Sequence, residues 1–408
     1  MGLDRFNRLL FWILALRIAL SYFGRATSAI GGYNFTHFQL NYGFGFIKRG
    51  LVGELLGWMF ADQVLSAPRV GMLVYGFTAA LLALLLVFLH RVMTRTGDPR
   101  VWTIALLLTF CPGTIEYIVL DRGRLDQVNY LVIAPALWGL IRGPMPLAAL
   151  LAGLLGGVTV LIHEAALLIH VPLLAAVLYV RLAVAAQPWR RRGLAFLGLL
   201  LPVAGAVWLI LVHGQPDVPP AELAAAIRER VGYVDPNVIG VYTDHQDLAG
   251  HYREFFRHRG DWSALVELAA AWLLLWGWCR IPLELFERFA TLPLGPRERR
   301  LVMRAAFAPL LWMAMGIDWG RWTALAIFNC HLLLLILHLA WERPLPVERF
   351  LDGLRAAGRP RLRRLALAAG VALITIGYPF LRDTTLVPIA SMKVWIPDFW
   401  LRFQALFL

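Results

Sequence analysis

Two short stretches, "DRGRLDQ" at Asp121 to Gln127 and "DWGRW" at Asp318 to Trp322, repeat the order acid, any residue, glycine, arginine. Each adjoins a strongly apolar run, where an ionised side chain is costly to hold and by default signals function. Asp121, Asp126 and Asp318 are candidate general bases, able to take a proton from a hydroxyl. Arg122, Arg124 and Arg321 are suited either to hold an anion through paired N–H donors or to pair with these acids and tie helix ends together. Trp319 and Trp322 flank Gly320 and offer faces on which a sugar ring could stack.

A second candidate is the couple His163–Glu164, set within a long apolar stretch. Burial raises a carboxyl pKa and a neighbouring imidazolium lowers it, a combination suited to proton transfer. His170 follows, but the spacing is not the H-E-x-x-H of a helical zinc site. No metal site is assigned and no cofactor is expected, with a divalent metal left open.

A third candidate is "NFTHFQLNYGFGFIKRGLVGELLG", residues 34–57, where aromatics alternate with glycines and lead to Lys48, Arg49 and Gly50. Two cations beside exposed backbone N–H groups suit a phosphate: arginine binds its oxygens bidentately and lysine supplies a compact charge. The loop at 214–262 adds Asp235, Asp244, His245, Asp247, His251, Arg253 and Arg257, none of which its pattern singles out.

What positions these groups follows from composition. The chain has 408 residues, 59% of them hydrophobic and 16% charged, with mean hydropathy +0.65, which excludes an ordinary soluble domain. Apolar runs long enough to cross a bilayer recur throughout, so the expected fold is all-α: a polytopic membrane helix bundle. Spans are predicted at 6–24, 70–90, 101–120, 128–141, 146–162, 165–185, 194–213, 263–280, 301–316, 322–341 and 365–381, about eleven in all. The first is expected to be retained rather than cleaved. Several are short or broken, notably 128–141 and the two halves of 146–185, as in helices that line a cavity. The whole chain, 1–408, reads as one transmembrane domain.

The net charge of +13 is almost entirely arginine, since only Lys48 and Lys393 are lysines. Its distribution fits the positive-inside rule rather than nucleic-acid binding. Arg91, Arg95, Arg100, Arg142, Arg190 to Arg192, Arg297 to Arg304 and a basic amphipathic segment at 342–364 fall on the cytoplasmic side. The opposite side then collects an interfacial re-entrant loop at 25–69, both D-x-G-R stretches, the His163–Glu164 hinge and a cap at 214–262. Cys111, Cys279 and Cys330 sit in apolar segments without paired spacing and read as packing residues.

Cations at headgroup level, nearby acids and surrounding aromatics together fit a lipid-linked phosphosugar. At that point the chain resembles the integral-membrane glycosyltransferases of the GT-C type and the polysaccharide polymerases of bacterial envelopes. The resemblance lies in span number, broken helices and acid-plus-arginine motifs in outer loops. It implies glycosyl transfer from a polyprenyl-phosphate-linked donor at the extracytoplasmic face of a bacterial inner membrane. Asp121 or Asp126 would be the base, with Lys48, Arg49, Arg124 and Arg321 on phosphate. Arg253, Arg257 and Arg259 would correspond to the polymerases' arginine-rich loops, and Glu54 and Asp62 are the acids of the first outer loop. The implied partners are membrane lipids, the polyprenyl-linked donor and a glycan or lipid acceptor, with no nucleic acid. The alternatives are a transporter or flippase of an anionic lipid-linked substrate, with His163 and Glu164 relaying protons, or an envelope acyl or phospho-group transferase acting through His163.

Overall fold

The structure, a computed structural model, describes residues 3–24, 30–60, 65–95, 97–243, 261–314, 318–375, 381–382 and 385–386. In chain order the helices are α1 (Leu3–Gly24), α2 (Gly32–His37), α3 (Leu51–Met59), α4 (Ala67–Arg95), α5 (Pro99–Phe110), α6 (Tyr117–Leu120) and α7 (Leu125–Arg142). Then come α8 (Met145–Ile162), α9 (Ala166–Ile169), α10 (Val171–Val184), α11 (Trp189–His213), α12 (Pro220–Val231) and α13 (Pro236–Thr243). The last are α14 (Asp261–Phe289), α15 (Pro296–Ala306), α16 (Trp319–Ala340), α17 (Val347–Arg355) and α18 (Arg359–Thr375). A two-residue ladder pairing Leu381–Arg382 with Thr385–Leu386 is the sole strand pair among the described residues.

Local chemistry sets many of the ends. Asp98 caps α5 by accepting the Arg100 backbone N–H, with Pro99 in the first turn, where its missing N–H has no helical partner to lose. Gly232 ends α12 at φ 78°, a left-handed turn that a side chain would strain. The chain from α5 to α6 passes through a π-helical turn, Pro112–Glu116, and bends by 46°.

Seven helices among the described residues are long and apolar enough to cross a membrane, or eight if the bent pair 99–110 and 112–120 is one span. The expected count of about eleven is not reached among the described residues, and composition accounts for the difference at two of the predicted spans. Helix α7 opens with Asp126, Gln127 and Asn129, all buried, and so loses apolar length. The predicted span at 301–316 is instead the charged helix α15, followed by a 3-10 turn at Ala308–Ala314. Helix α18 starts within the run Arg359, Arg361, Arg363 and Arg364, and the end of the span expected at 365–381 lies outside the described residues.

Helix α16 is the centre of the bundle: 94% of its most apolar stretch is buried, so it is surrounded by protein rather than lipid. Around it, α1, α4, α5, α7, α8, α10 and α14 contribute to one continuous hydrophobic core. Helices α8 and α11 approach closely enough that a Cβ on Gly153 would strike the Gly198 carbonyl oxygen, the small-residue packing typical of membrane helices.

The two ends of the bundle differ. At one end α2, α3, the 40–50 loop and the α12–α13 pair fold together. Arg230 Nη2 donates to the Gln39 carbonyl (2.6 Å), Tyr242 OH to the Lys48 carbonyl (2.7 Å), and the Asp235 N–H to Thr36 Oγ1 (2.9 Å). Leu223, Ile227 and Val238 pack there on Leu40 and Ile47. At the arginine-rich end, the fully buried Arg100 ties three segments. It pairs with Asp98, and its guanidinium donates to the carbonyls of Phe289 and Arg343 and to Glu342. Helix α17, with no buried residue, lies at that end's chain exit from α16.

Candidate functional site

The site grows from four chain segments that enter the bundle at the same end. Helix α2 and the loop behind it bring His37, Lys48 and Arg49. The turn between α6 and α7 brings Asp121, Arg122, Arg124 and Asp126. The break between α8 and α9 brings His163 and Glu164, and the start of the central helix α16 brings Asp318 and Arg321.

The turn at Asp121 to Arg124 exists because Gly123 adopts φ 86°, and a side chain there would press on Asn34 and Val74 at 3.2 and 3.3 Å. Asn34 Nδ2 donates to the Arg122 carbonyl (2.7 Å), and Gln127 Nε2 to the carbonyls of Ile118 (2.6 Å) and Asp121 (3.1 Å). This fixes the loop so that Arg124 Nε donates to both oxygens of Asp121, at 3.1 and 2.9 Å. In the second echo Gly320 lies inside the first turn of α16, so the two motifs share residue order but not backbone geometry.

The echoes meet. Arg321 grips Asp126 bidentately, Nε to Oδ2 and Nη2 to Oδ1, both at 2.8 Å. Asp318 lies between the two arginines, 3.7 Å from Arg124 Nη2 and 3.6 Å from Arg321 Nη1. Its Oδ1 is buried with no hydrogen-bond partner among the described residues. Burial pushes the Asp318 carboxyl above its usual range, against the opposing pull of Arg124 and Arg321. Both oxygens of Asp121 and of Asp126 thus accept from a guanidinium group, whereas Asp318 Oδ1 has no partner among the described residues.

Arg49 sits at φ 66°, a left-handed conformation unusual for a branched-out side chain and typical of strained functional positions. Its Nε donates to both oxygens of Glu164 (3.1 and 2.9 Å), and a second guanidinium nitrogen also reaches Oε1. Burial would raise the Glu164 carboxyl, but the Arg49 charge and hydrogen bonds outweigh it and hold Glu164 well below the carboxylate range. Arg49 Nη1 donates to His37 Nε2 (3.2 Å) while His37 Nδ1 donates to the Tyr33 carbonyl (3.1 Å). Burial and the Arg49 charge keep that imidazole neutral.

His163 lies between the two halves of the cluster. The Ala165 N–H donates to its Nδ1 (3.0 Å), so the ring proton sits on Nε2, which faces Arg321 Nη2 at 3.4 Å. Two N–H donors thus lie side by side, an arrangement that suits one anionic oxygen accepting from both. Burial first, then Arg49, lowers the His163 pKa well below its ordinary value.

Aromatic faces back the cations. Arg124 stacks over Tyr33 (4.7 Å), Arg122 over Tyr75 (4.6 Å) and Arg321 over Trp322 (4.6 Å). Trp322 in turn stacks on Trp312 at 5.9 Å, and Trp319 is buried beside it in the helix. Lys48 Nζ is 5.5 Å from the centre of the Tyr242 ring and pairs with no carboxylate among the described residues. The two cations of the 34–57 loop therefore have different surroundings: Arg49 is engaged inward with Glu164, and Lys48 lies over the Tyr242 ring.

His37, Tyr117 and Asn129 belong to the site without having been singled out in the sequence. Tyr117 OH, both side-chain atoms of Asn129 and Trp322 Nε1 are buried with no partner among the described residues, and such groups mark where water or a polar ligand enters. Asn129 lies one helical turn from Asp126, a spacing that could have drawn attention to it. Asp62, Asp244, His245, Asp247, His251, Arg253, Arg257 and Arg259 lie outside the described residues. No group of three or more His, Cys, Asp or Glu side chains among the described residues is placed to hold a metal ion.

The helices and their buried charge cluster define a multi-pass α-helical membrane protein with a polar site built into one end of its bundle. The chain belongs to the family described as uncharacterised membrane protein Rv1490, whose model matches residues 6–236. That stretch includes Lys48, Arg49, Asp121 to Asp126, His163 and Glu164, and stops short of Asp318 and Arg321. No curated protein and no solved structure matches the chain.

Proposed function

We propose that the protein transfers a glycosyl group from a polyprenyl-phosphate-linked donor, at the extracytoplasmic face of a bacterial inner membrane, in envelope polysaccharide or glycolipid assembly. The observation that carries this reading is Asp318. It is a half-buried carboxyl whose Oδ1 is buried with no hydrogen-bond partner among the described residues, held between two arginines that can also face a phosphate. In this reading Asp318 takes the proton of the acceptor hydroxyl. Lys48, Arg124 and the facing donors of Arg321 and His163 hold the phosphate that leaves with the lipid. Asp126 and Glu164 keep Arg321 and Arg49 in place. The acceptor's hydroxyls meet Tyr117, Asn129 and the Trp322 N–H.

The test is binding and turnover in nanodiscs supplied with polyprenyl phosphate and its sugar-linked form. Lys48→Ala is expected to weaken lipid-phosphate binding with folding unchanged, and Asp318→Asn to keep binding while losing transfer. A wild-type protein that binds no polyprenyl phosphate would end this reading.

A second reading, transport of an anionic lipid-linked substrate, is favoured by polar groups along α16. His331 and His338 are buried in the central helix with Nε2 unpartnered among the described residues, on the way from Arg321 to Glu342. It expects flux coupled to protons that His331→Ala or His338→Ala abolishes, where the transferase reading expects none.

A further inference from the structure

On the outside of the bundle, α4, α7 and α16 enclose a groove of about 500 Å³, within the range of ligand-binding clefts. Its walls are apolar: Leu84 and Phe88 from α4, Ala134 from α7, Phe328 and Leu332 from α16. Leu84, Val87 and Trp138 are exposed on the bundle's outside, so the groove is reached from the lipid side rather than from water. From Leu81 to Arg91 it follows α4 for about 15 Å, half of a hydrocarbon core of about 30 Å. One end stops at Tyr130, whose hydroxyl donates to Asn329 Oδ1 (2.7 Å) and whose ring packs edge-on against His170.

The other end is different in character. Arg91 lies there over the Trp138 ring at 4.9 Å, at the arginine-rich end of the bundle, and no carboxylate among the described residues neutralises it. A tryptophan at the mouth of an apolar slot is the usual anchor of a headgroup region, and an unpaired arginine beside it complements a phosphate. An apolar channel one leaflet long with a cation at its headgroup end matches a single class of molecule.

We propose that this groove is a binding site for an anionic phospholipid of the leaflet on the arginine-rich side, with one acyl chain along α4 and α7 and the headgroup phosphate on Arg91. The chain's end would lie against Tyr130, one helical turn from Asp126, so the bound lipid braces the helix that carries part of the polar site. The inference does not depend on the chemistry proposed for that site.

The experiment uses the full chain purified in detergent and titrated separately with phosphatidylglycerol and phosphatidylcholine, with bound lipid counted by native mass spectrometry and thermal stability followed in parallel. Wild type is expected to prefer phosphatidylglycerol. Arg91→Ala is expected to lose about fivefold of that preference while still taking up lipid. Ala134→Trp, which fills the channel, is expected to abolish the tightest-bound lipid, and Leu84→Trp serves the same purpose should Ala134→Trp not fold. Equal uptake of both lipids by wild type overturns the proposal, as does an Arg91→Ala protein with undiminished preference or a filled groove that still retains the lipid.

Discussion

Asp126 and Arg321 stand 195 positions apart in the chain, yet the guanidinium of one grips both oxygens of the other at 2.8 Å in the bundle interior. A pair so deeply buried holds little net free energy as a pair, but removing one member strands a charge. Asp126→Leu or Arg321→Met alone is therefore expected to destabilise the protein by about 3–5 kcal/mol. The double replacement should recover most of that loss. Thermal melting of the four proteins in one detergent checks it, and a double variant no better than the singles would show that the pair's geometry, not its charge balance, holds α7 to α16.

Asp318 gives a prediction in pH. Its carboxyl is raised by folding, so the stability it contributes is fully present below the unfolded carboxylate pKa and is lost as pH rises through the higher folded value. If Asp318 is the base, turnover moves the other way, increasing as the same group ionises. Asp318→Asn should remove both effects together, flattening the acid limb of stability and lowering turnover roughly 100- to 10,000-fold. The melting temperature and the rate are to be followed across about pH 4 to 7, bracketing the usual carboxylate value. An acid limb that survives in Asp318→Asn would assign the proton to another group.

Arg49 combines a useful side chain with a backbone angle of φ 66°. Arg49→Ala and Arg49→Gly both leave Glu164 unpaired, so their difference isolates the backbone. The glycine variant is expected to be the more stable by about 1 kcal/mol, since a Cβ in the left-handed region costs that much. Chemical denaturation of the two variants side by side measures it, and equal stability would mean that the loop relaxes out of this conformation once the guanidinium is gone.

The contact between α8 and α11 is tested with single methyl groups. Gly153→Ala must push the Gly198 carbonyl away, whereas a Cβ at Gly205 on the same α11 meets nothing within 4 Å. The first substitution is expected to destabilise by about 1–3 kcal/mol and the second to be neutral. Similar melting temperatures for both would mean that the two helices separate at little expense.

Much of this architecture was legible in the sequence because the membrane imposes length and polarity rules on every segment. The two D-x-G-R stretches could be suspected of lying together, since charge at the end of an apolar run needs a partner, and Arg321 does pair with Asp126. Arg49 and Glu164 could not be paired in advance: they are 115 positions apart, and neither segment carries a mark of the other. Lys48 and Arg49 look equivalent as neighbours, but the left-handed backbone between them sends their side chains to different partners. Arg100 reads as an ordinary charge of an arginine-rich loop, although Asp98-Pro99-Arg100 is a helix-cap pattern that marks a fixed position. Of the eleven spans expected from hydropathy, seven or eight are long and apolar enough among the described residues, because buried polar residues open α7 and charged residues fill α15.

The knot around Arg100 also has a bearing on how the protein is made. Asp98 and Arg100 leave the ribosome long before Glu342, Arg343 and Leu345, which complete their hydrogen bonds 242 to 247 positions later. At about 5–20 residues per second, that pair waits roughly 10–50 s for its partners. Until then α5 can be threaded into the bilayer but not locked, and the central helix α16 arrives just ahead of the residues that close the knot. Assembly of this protein in the membrane is thus committed only once Leu345 has been made, and a nascent chain halted before it would present α5 to its insertion machinery without the contacts that lock it.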